Sequence, residues 1–246
     1  MATVSAYLRP ATLGDALACL DLPRAVVVGG GTTVNAVRTL EPVVVVDLQG
    51  LRIDGIEHAG EHWLRIGATA TFQRLADDAS LPAAIREAAR REEPSTLRAL
   101  ATVGGLVATA DPSSELLATL LVHDGAVSLA GRHGRQSVEL EALLADGTML
   151  AGRIITAVRV ETGGVTSVAR TARTRADRPI VAAVARRTPD GQRRLALTGV
   201  AAVPVLVTPT PDAAADLEPP GDFRGSTEYR RVLAGVLARR ALEGVG

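Results

Sequence analysis

Two glycine-bearing stretches are the residues of this chain best suited to chemistry. One is Gly29-Gly30-Gly31-Thr32-Thr33, which follows the apolar run Ala25 to Val28. The other is Thr102-Val103-Gly104-Gly105-Leu106, approached through Ala99, Leu100 and Ala101. Glycine lets a backbone come close to a ligand where a side chain would clash. Amides converging in such a turn attract an anion, usually a phosphate. Either stretch alone is equally a plain structural turn. Together they can clamp the two phosphates of a dinucleotide.

Other chemistries find little support. In the first stretch Val34 takes the sixth place of a G-x-G-x-x-G pattern. Asp47 also follows sooner than the roughly 20-residue spacing of a ribose-binding acid, so the Rossmann fingerprint fails. There is no Gly-x-Ser-x-Gly elbow, no His-Glu-x-x-His and no Cys-x-x-Cys. Asp111 and Glu115 suggest an acid–base pair, yet carboxylates at a helix start are favoured by the helix dipole alone. His58 and His62 flank the turn Ala59-Gly60 of a predicted hairpin, which reads as two exposed turn histidines. A chain of this kind holds a group that carries the chemistry itself.

Composition narrows the options further. Basic and acidic residues balance at 27 each, which recommends neither nucleic acid nor an anionic membrane as partner. Lysine is absent, so a Schiff-base or phosphate-loop lysine is excluded. Cys19 is the only cysteine, which rules out an intramolecular disulfide, a cysteine zinc site and a self-contained iron–sulfur cluster. No apolar signal core opens the chain and no run reaches membrane-spanning length, so a soluble cytoplasmic protein without membrane insertion is expected. The few aromatic side chains (Trp63, Phe72, Phe223, Tyr7 and Tyr229) require an aliphatic core.

The elements that must position the glycines can be read in order. Thr12 caps a short helix through Leu20, with Leu13, Ala16, Leu17 and Leu20 on one face. Strands Ala25 to Val28 and Val43 to Val46 flank the first glycine stretch and a helical turn from Val34 to Arg38, as in a small parallel α/β unit. Leu51 to Glu57 and Trp63 to Gly67 read as paired strands. Thr71 caps a short helix, and Leu81 to Arg91 forms a longer one ending in the charge cluster Arg90-Arg91-Glu92-Glu93, read as a solvated helix end. The second glycine stretch is read as a turn. Ser113 or Ser114 caps a helix from Glu115 to His123. Ala126 to Ala130 and Arg135 to Val138 form a hairpin, Glu139 to Leu144 a helix and Ile154 to Val160 a strand. Beyond Thr162-Gly163-Gly164, strands Val165 to Ala169, Ile180 to Arg186 and Leu195 to Val207 (broken at Pro204) precede a final helix. That helix is capped by Ser226 and is expected to bury Tyr229, Val232, Leu233, Val236 and Leu237.

Several of these motifs together resemble the FAD-binding, medium subunit of molybdenum hydroxylases, the group that includes carbon monoxide dehydrogenase and xanthine dehydrogenase. They are Tyr7-Leu8-Arg9-Pro10 with Thr12-Leu13 and Ala16-Leu17, Val28-Gly29-Gly30-Gly31-Thr32, Asp47-Leu48 with Leu51 and Ile56, and Leu64-Arg65-Ile66-Gly67-Ala68. Ala101-Thr102-Val103-Gly104-Gly105 is the most specific match, and Arg175-Ala176-Asp177 and Glu228-Tyr229-Arg230-Arg231 match weaker motifs near the end. The resemblance implies an α+β, FAD-binding PCMH-type (vanillyl-alcohol-oxidase-like) fold. It divides the chain into an N-terminal α/β part (1–55), a mixed second part of the FAD-binding domain (56–161) and a C-terminal domain (162–246).

It also implies FAD as cofactor, held at the pyrophosphate by backbone amides of Gly29, Gly30, Gly31, Thr32, Thr33, Thr102, Val103, Gly104, Gly105 and Leu106. Glu115 falls where the family has an Asp on the ribose, and Leu150 and Arg170 fall near further FAD contacts. No catalytic side chain and no metal ligand are implied. The partners implied are an iron–sulfur subunit and a molybdopterin subunit, with this chain relaying electrons to an external acceptor. Departures from the family pattern are Leu106 for Asn, Glu115 for Asp and Thr33 for Asp. They leave open a stand-alone flavoenzyme or a flavin-free scaffold.

Overall fold

The computed structural model describes residues 3–34, 41–174, 177–210 and 212–246. Three sheets carry the chain. Strands β1 (Val4–Leu8), β2 (Ala25–Val28) and β3 (Val43–Asp47) form a parallel sheet of order β1-β3-β2. Between β1 and β2 runs α1 (Leu13–Cys19), whose Thr12 cap accepts from the Asp15 amide as expected. This parallel arrangement agrees with the predicted unit. Of the helical turn expected over Val34 to Arg38, Val34 lies in a turn and 35–38 lie outside the described residues.

Strands β4 (Ile56–His58), β5 (Trp63–Gly67), β6 (Ala126–Gly131), β7 (Gly134–Glu139) and β8 (Arg153–Glu161) build a five-stranded antiparallel sheet of order β4-β5-β8-β6-β7. The strand expected from Leu51 starts only at Ile56, because a 3₁₀ turn capped by Asp47 occupies Leu48–Leu51. Helices α2 (Phe72–Asp77), α3 (Ala83–Glu92), α4 (Ser95–Arg98), α5 (Val103–Thr109), α6 (Glu115–Val122) and α7 (Leu140–Ala145) punctuate it. The C-terminal sheet, order β12-β11-β10-β9, is antiparallel: β9 (Val165–Thr171), β10 (Val181–Arg187), β11 (Arg193–Thr198) and β12 (Val205–Val207). The long helix α8 (Thr227–Glu243) packs on it.

Every residue of α6 is buried. One core holds Leu116, Leu117, Leu120 and Leu121 together with Val127, Leu129 and Val158 of the middle sheet and Val184 and Ala196 of the last. A helix apolar all round is one covered on all sides, and α6 is the piece the second and third sheets share.

The final helix turns a different face inward from the one expected. Arg230, Ala234, Leu237, Ala238, Ala241 and Leu242 are buried, whereas Tyr229, Val232 and Val236 are exposed. Alanines let the helix lie close on β10, and Arg230 reaches the carbonyls of Ile180 and Gly199 at 3.1 and 3.0 Å and Asp222 at 2.6 Å. Satisfying those buried carbonyls decides the face over the hydrophobicity of the valines.

Candidate functional site

The second glycine stretch is the first turn of a helix and not the turn expected of it. Thr102 is the cap of α5, its Oγ1 accepting from the Gly105 amide at 3.2 Å. Two glycines in a first turn are poor helix formers, and the structure shows what they permit. A Cβ on Gly104 would lie 2.9 Å from the Ala68 carbonyl, so glycine is needed for α5 to approach the end of β5. A Cβ on Gly105 would meet only Thr102 Oγ1, at 3.2 Å.

The first glycine stretch leans directly on this turn. Cβ atoms would fall 2.5 Å from Thr102 Oγ1 at Gly29 and 1.7 Å from the Leu100 carbonyl at Gly30. Gly31 has φ 74°, in the left-handed region. These glycines are therefore required for one loop to touch the other, a use the sequence reading did not foresee.

Together the stretches line one cleft of about 590 Å³, which takes in Gly29 through Val34, Thr102, Gly105, Leu106 and Thr109. A smaller cavity of about 210 Å³ adjoins them at Gly29, Thr102, Gly104 and Gly105, and Leu150 lines it. Of the residues singled out from sequence, Gly29, Gly30, Gly31, Thr32, Thr33, Thr102, Gly104, Gly105, Leu106 and Leu150 thus meet at these two neighbouring spaces. Val103 is fully buried in the core, and Glu115 and Arg170 line neither space.

The two stretches do not offer the same groups. The amides of Val103 and Gly104 already donate to the carbonyls of Ala70 and Ala68, at 3.0 and 2.8 Å, and that of Leu106 to Thr102 O at 2.9 Å. No acceptor among the described residues takes the amides of Gly30, Gly31, Thr32 or Thr33. The capacity to bind an anion through amides lies in the first stretch. The second supplies space and the Thr102 hydroxyl.

Glu115 is engaged elsewhere: its carboxylate, 3% exposed, pairs with Arg170 Nε at 2.9 Å and Arg91 Nη1 at 3.2 Å. It opens α6 and ties α3 and β9 to it. What the structure shows for Glu115 and Arg170, which the resemblance gives cofactor roles, is this ion pair. The pair braces the wall behind the cleft.

The cleft also has a polar wall that the sequence reading missed. Glu92, Glu93, Asp111 and Arg178 line it. Arg178 donates to Asp111 Oδ2 at 2.5 Å and to Glu93, and it stands 3.9 Å from Glu92. The charge cluster expected at a solvated helix end is in part buried, Glu92 being only 4% exposed. A signal was present: Ile85, Ala88, Ala89 and Glu92 follow the i, i+3, i+4, i+7 pattern of one buried face. Burial raises the Glu92 carboxyl to about 7, opposed by Arg178, the Leu116 amide and the Ser114 hydroxyl, and reinforced by Asp111.

Comparison with known proteins decides the family. The FAD-binding domain of molybdopterin dehydrogenases matches residues 2–161. The chain belongs to that family. It is 28% identical over 275 residues to the carbon monoxide dehydrogenase medium chain of Afipia carboxidovorans, covering 96% of this chain and 95% of that one. It is 29% identical over 252 residues to YgfM of Escherichia coli K12, an uncharacterized protein, covering 95% and 93%. Its fold superposes on a crystal structure of Cu,Mo-CO dehydrogenase with a TM-score of 0.87 at 26% identity, covering 100% of this chain and 98% of that one. Against quinoline 2-oxidoreductase from Pseudomonas putida 86 the TM-score is 0.86 at 23% identity, with 100% and 97% covered. The mixed α+β, PCMH-like FAD-binding fold expected from the motifs is the fold observed. Among the described residues, no helix is long and apolar enough to cross a membrane.

Proposed function

We propose that this chain is the FAD-carrying medium subunit of a molybdenum hydroxylase complex, passing electrons from iron–sulfur clusters of a partner subunit to an external acceptor. The observation that carries the reading is the pairing of two glycine stretches on one cleft, with no acceptor among the described residues for four consecutive amides, Gly30 to Thr33. Bound FAD supplies the chemistry of exchanging electrons singly with clusters and in pairs with an acceptor. The amides of Gly30 through Thr33 hold the pyrophosphate. Thr102 fixes the first loop against α5, and Gly105 keeps the cleft open where a side chain would fill it. Leu150 bounds the adjoining apolar cavity. The ion pairs of Glu115 with Arg91 and Arg170 hold α3 and β9 to the start of α6.

The carbon monoxide dehydrogenase relative supports a place in such a complex, being a medium chain matched over nearly its full length. Lone Cys19 cannot ligate a cluster by itself, so on this reading electrons come from iron–sulfur clusters outside this sequence, and a molybdopterin centre acts on the substrate. The test is to purify the chain alone and co-expressed with candidate iron–sulfur and molybdopterin chains. Expected are release of FAD, not FMN, on denaturation and a stable complex by size-exclusion chromatography. Recovery of FMN alone, or of no flavin after reconstitution, refutes the cofactor assignment. Turnover of an organic substrate by the isolated chain at roughly 1 per second or faster refutes the relay.

A further inference from the structure

Helix α8 carries two apolar faces, where a helix lying on a domain ordinarily carries one and a polar back. The inward face is Ala234, Leu237, Ala238 and Ala241, buried against the C-terminal sheet. On the opposite side Tyr229, Val232 and Val236 recur at i, i+3 and i+7 and stand in solvent, Val232 being 61% exposed. Single exposed hydrophobes are ordinary, but a stripe of them along one helix marks an interaction surface. The ends of the stripe are oppositely charged. Glu228 stands at its N-terminal end and Arg239 and Arg240 at its C-terminal end, all three exposed. None of their side chains has a hydrogen bond or ion pair among the described residues. The helix dipole favours this placement of charge, but it gives no reason for valines in water between the two ends.

We propose that this face docks a second copy of the chain, the two α8 helices lying antiparallel about a two-fold axis near Ala234. The sequence of α8 is self-complementary about that point. Val232 comes opposite Val236 of the second copy, and Val236 opposite its Val232. Glu228 and Tyr229 of each helix come opposite Arg240 and Arg239 of the other, which gives the carboxylate an ion pair and the ring a cation to face. The two charged ends lie about 18 Å apart along the axis, with the valines between them.

A parallel pairing would set Glu228 against Glu228 and the arginines against arginines, so charge selects the antiparallel arrangement. The same patch serves on both copies, and such a contact closes at two instead of growing into a filament. One helix face is small beside a standard interface, so the dimer is expected to be reversible and to depend on concentration. It goes beyond the cofactor reading and does not depend on flavin.

Sedimentation velocity of the full chain across a micromolar concentration series tests the proposal. The wild-type chain is expected to shift from monomer to dimer as concentration rises. Val232→Glu should stay monomeric with an unchanged circular dichroism spectrum, since that position is already in water. Charge reversal tests the register. Glu228→Arg, and separately Arg239→Glu with Arg240→Glu, each bring like charges together at both ends of their own dimer and should weaken self-association roughly tenfold or more. Mixed in equal amounts, the two variants form a heterodimer whose ends are again opposite in charge, and association should return to near the wild-type level. Neither variant could contribute to that recovery if it had lost its fold. A wild-type chain that stays monomeric throughout overturns the proposal. So do a dimer that Val232→Glu leaves intact and charge variants that fold but do not recover on mixing.

Discussion

At the scale of single residues, glycines that look alike in sequence do different work. Gly30 is needed because the Leu100 carbonyl would lie 1.7 Å from any Cβ, and Gly105 because a side chain there would enter the cleft. Gly105→Asp should therefore fold and lose flavin: the carboxylate meets little protein but fills and charges the cleft. Circular dichroism beside flavin content measures it, and full FAD occupancy in a folded variant contradicts the assignment. Gly30→Ala should instead lower the thermal midpoint, because the two loops can no longer touch. The glycine stretches were legible in sequence because glycine is chemically distinctive. Their division of labour was not, since no sequence says that the Val103 and Gly104 amides already donate to Ala70 and Ala68. Glu92 was hidden for another reason: a charge beside three other charges reads as a solvated end unless helical periodicity is allowed to overrule composition.

At the scale of elements, α6 is the most constrained piece, and a buried titratable group sits at each end. Glu92 accepts from the Leu116 amide in its first turn. His123 caps its last turn, its Nδ1–H donating to Glu161 O at 2.7 Å and its Nε2 accepting from the Thr166 hydroxyl at 3.1 Å. Burial and the Arg186 charge push His123 down to about 4. The signs oppose. Glu92 holds its proton more tightly folded (about 7) than unfolded (4.5), so its stabilisation is complete below about pH 4.5 and is lost as pH rises through 7. His123 is depressed from 6.5 to about 4, so the stability it permits is present above pH 6.5 and lost as pH falls through 4. Between roughly pH 4.5 and 6.5 the two slopes offset, each worth up to about 3 kcal/mol. Glu92→Gln should thus unmask a steeper loss of thermal midpoint on acidification from pH 6.5 to 4.5 than wild type shows. Midpoints that track wild type across that range would contradict it. The existence of α6 was plain from its leucines; the roles of its two ends depend on partners from α3, β8 and β9, far apart in sequence.

At the scale of the whole molecule, the question is what makes one body of three sheets. Element order and most strand bounds followed from apolar runs and turn residues, and the parallel first sheet and the antiparallel last one are both local enough to be read. The seams between sheets were not, because they are made by charged residues within apolar strands. Arg186 is the clearest instance. Its position at the end of an apolar run marked only where a strand stops, yet its side chain is completely buried within β10. From the C-terminal sheet it donates to Gly163 O at 2.7 and 3.0 Å, to Val122 O at the end of α6 at 3.0 Å, and to Glu161 at the end of β8 at 2.7 Å. Asp124 stands at 3.4 Å. We propose that the boundary near residue 161 divides sheets and not cores, since Val184 and Ala196 share a core with α6 and Arg186 is bonded across the join. Arg186→Met fills a similar volume but strands the Val122 and Gly163 carbonyls and the Glu161 carboxylate. Breaking one side of a buried ion pair costs about 3–5 kcal/mol. Urea denaturation should show the midpoint lowered accordingly while the transition stays single, because a shared core couples the sheets even after the arginine is lost. Two resolved transitions in the wild-type protein, or an unchanged midpoint in the variant, would mean that the C-terminal sheet is held to the rest by little more than the chain itself.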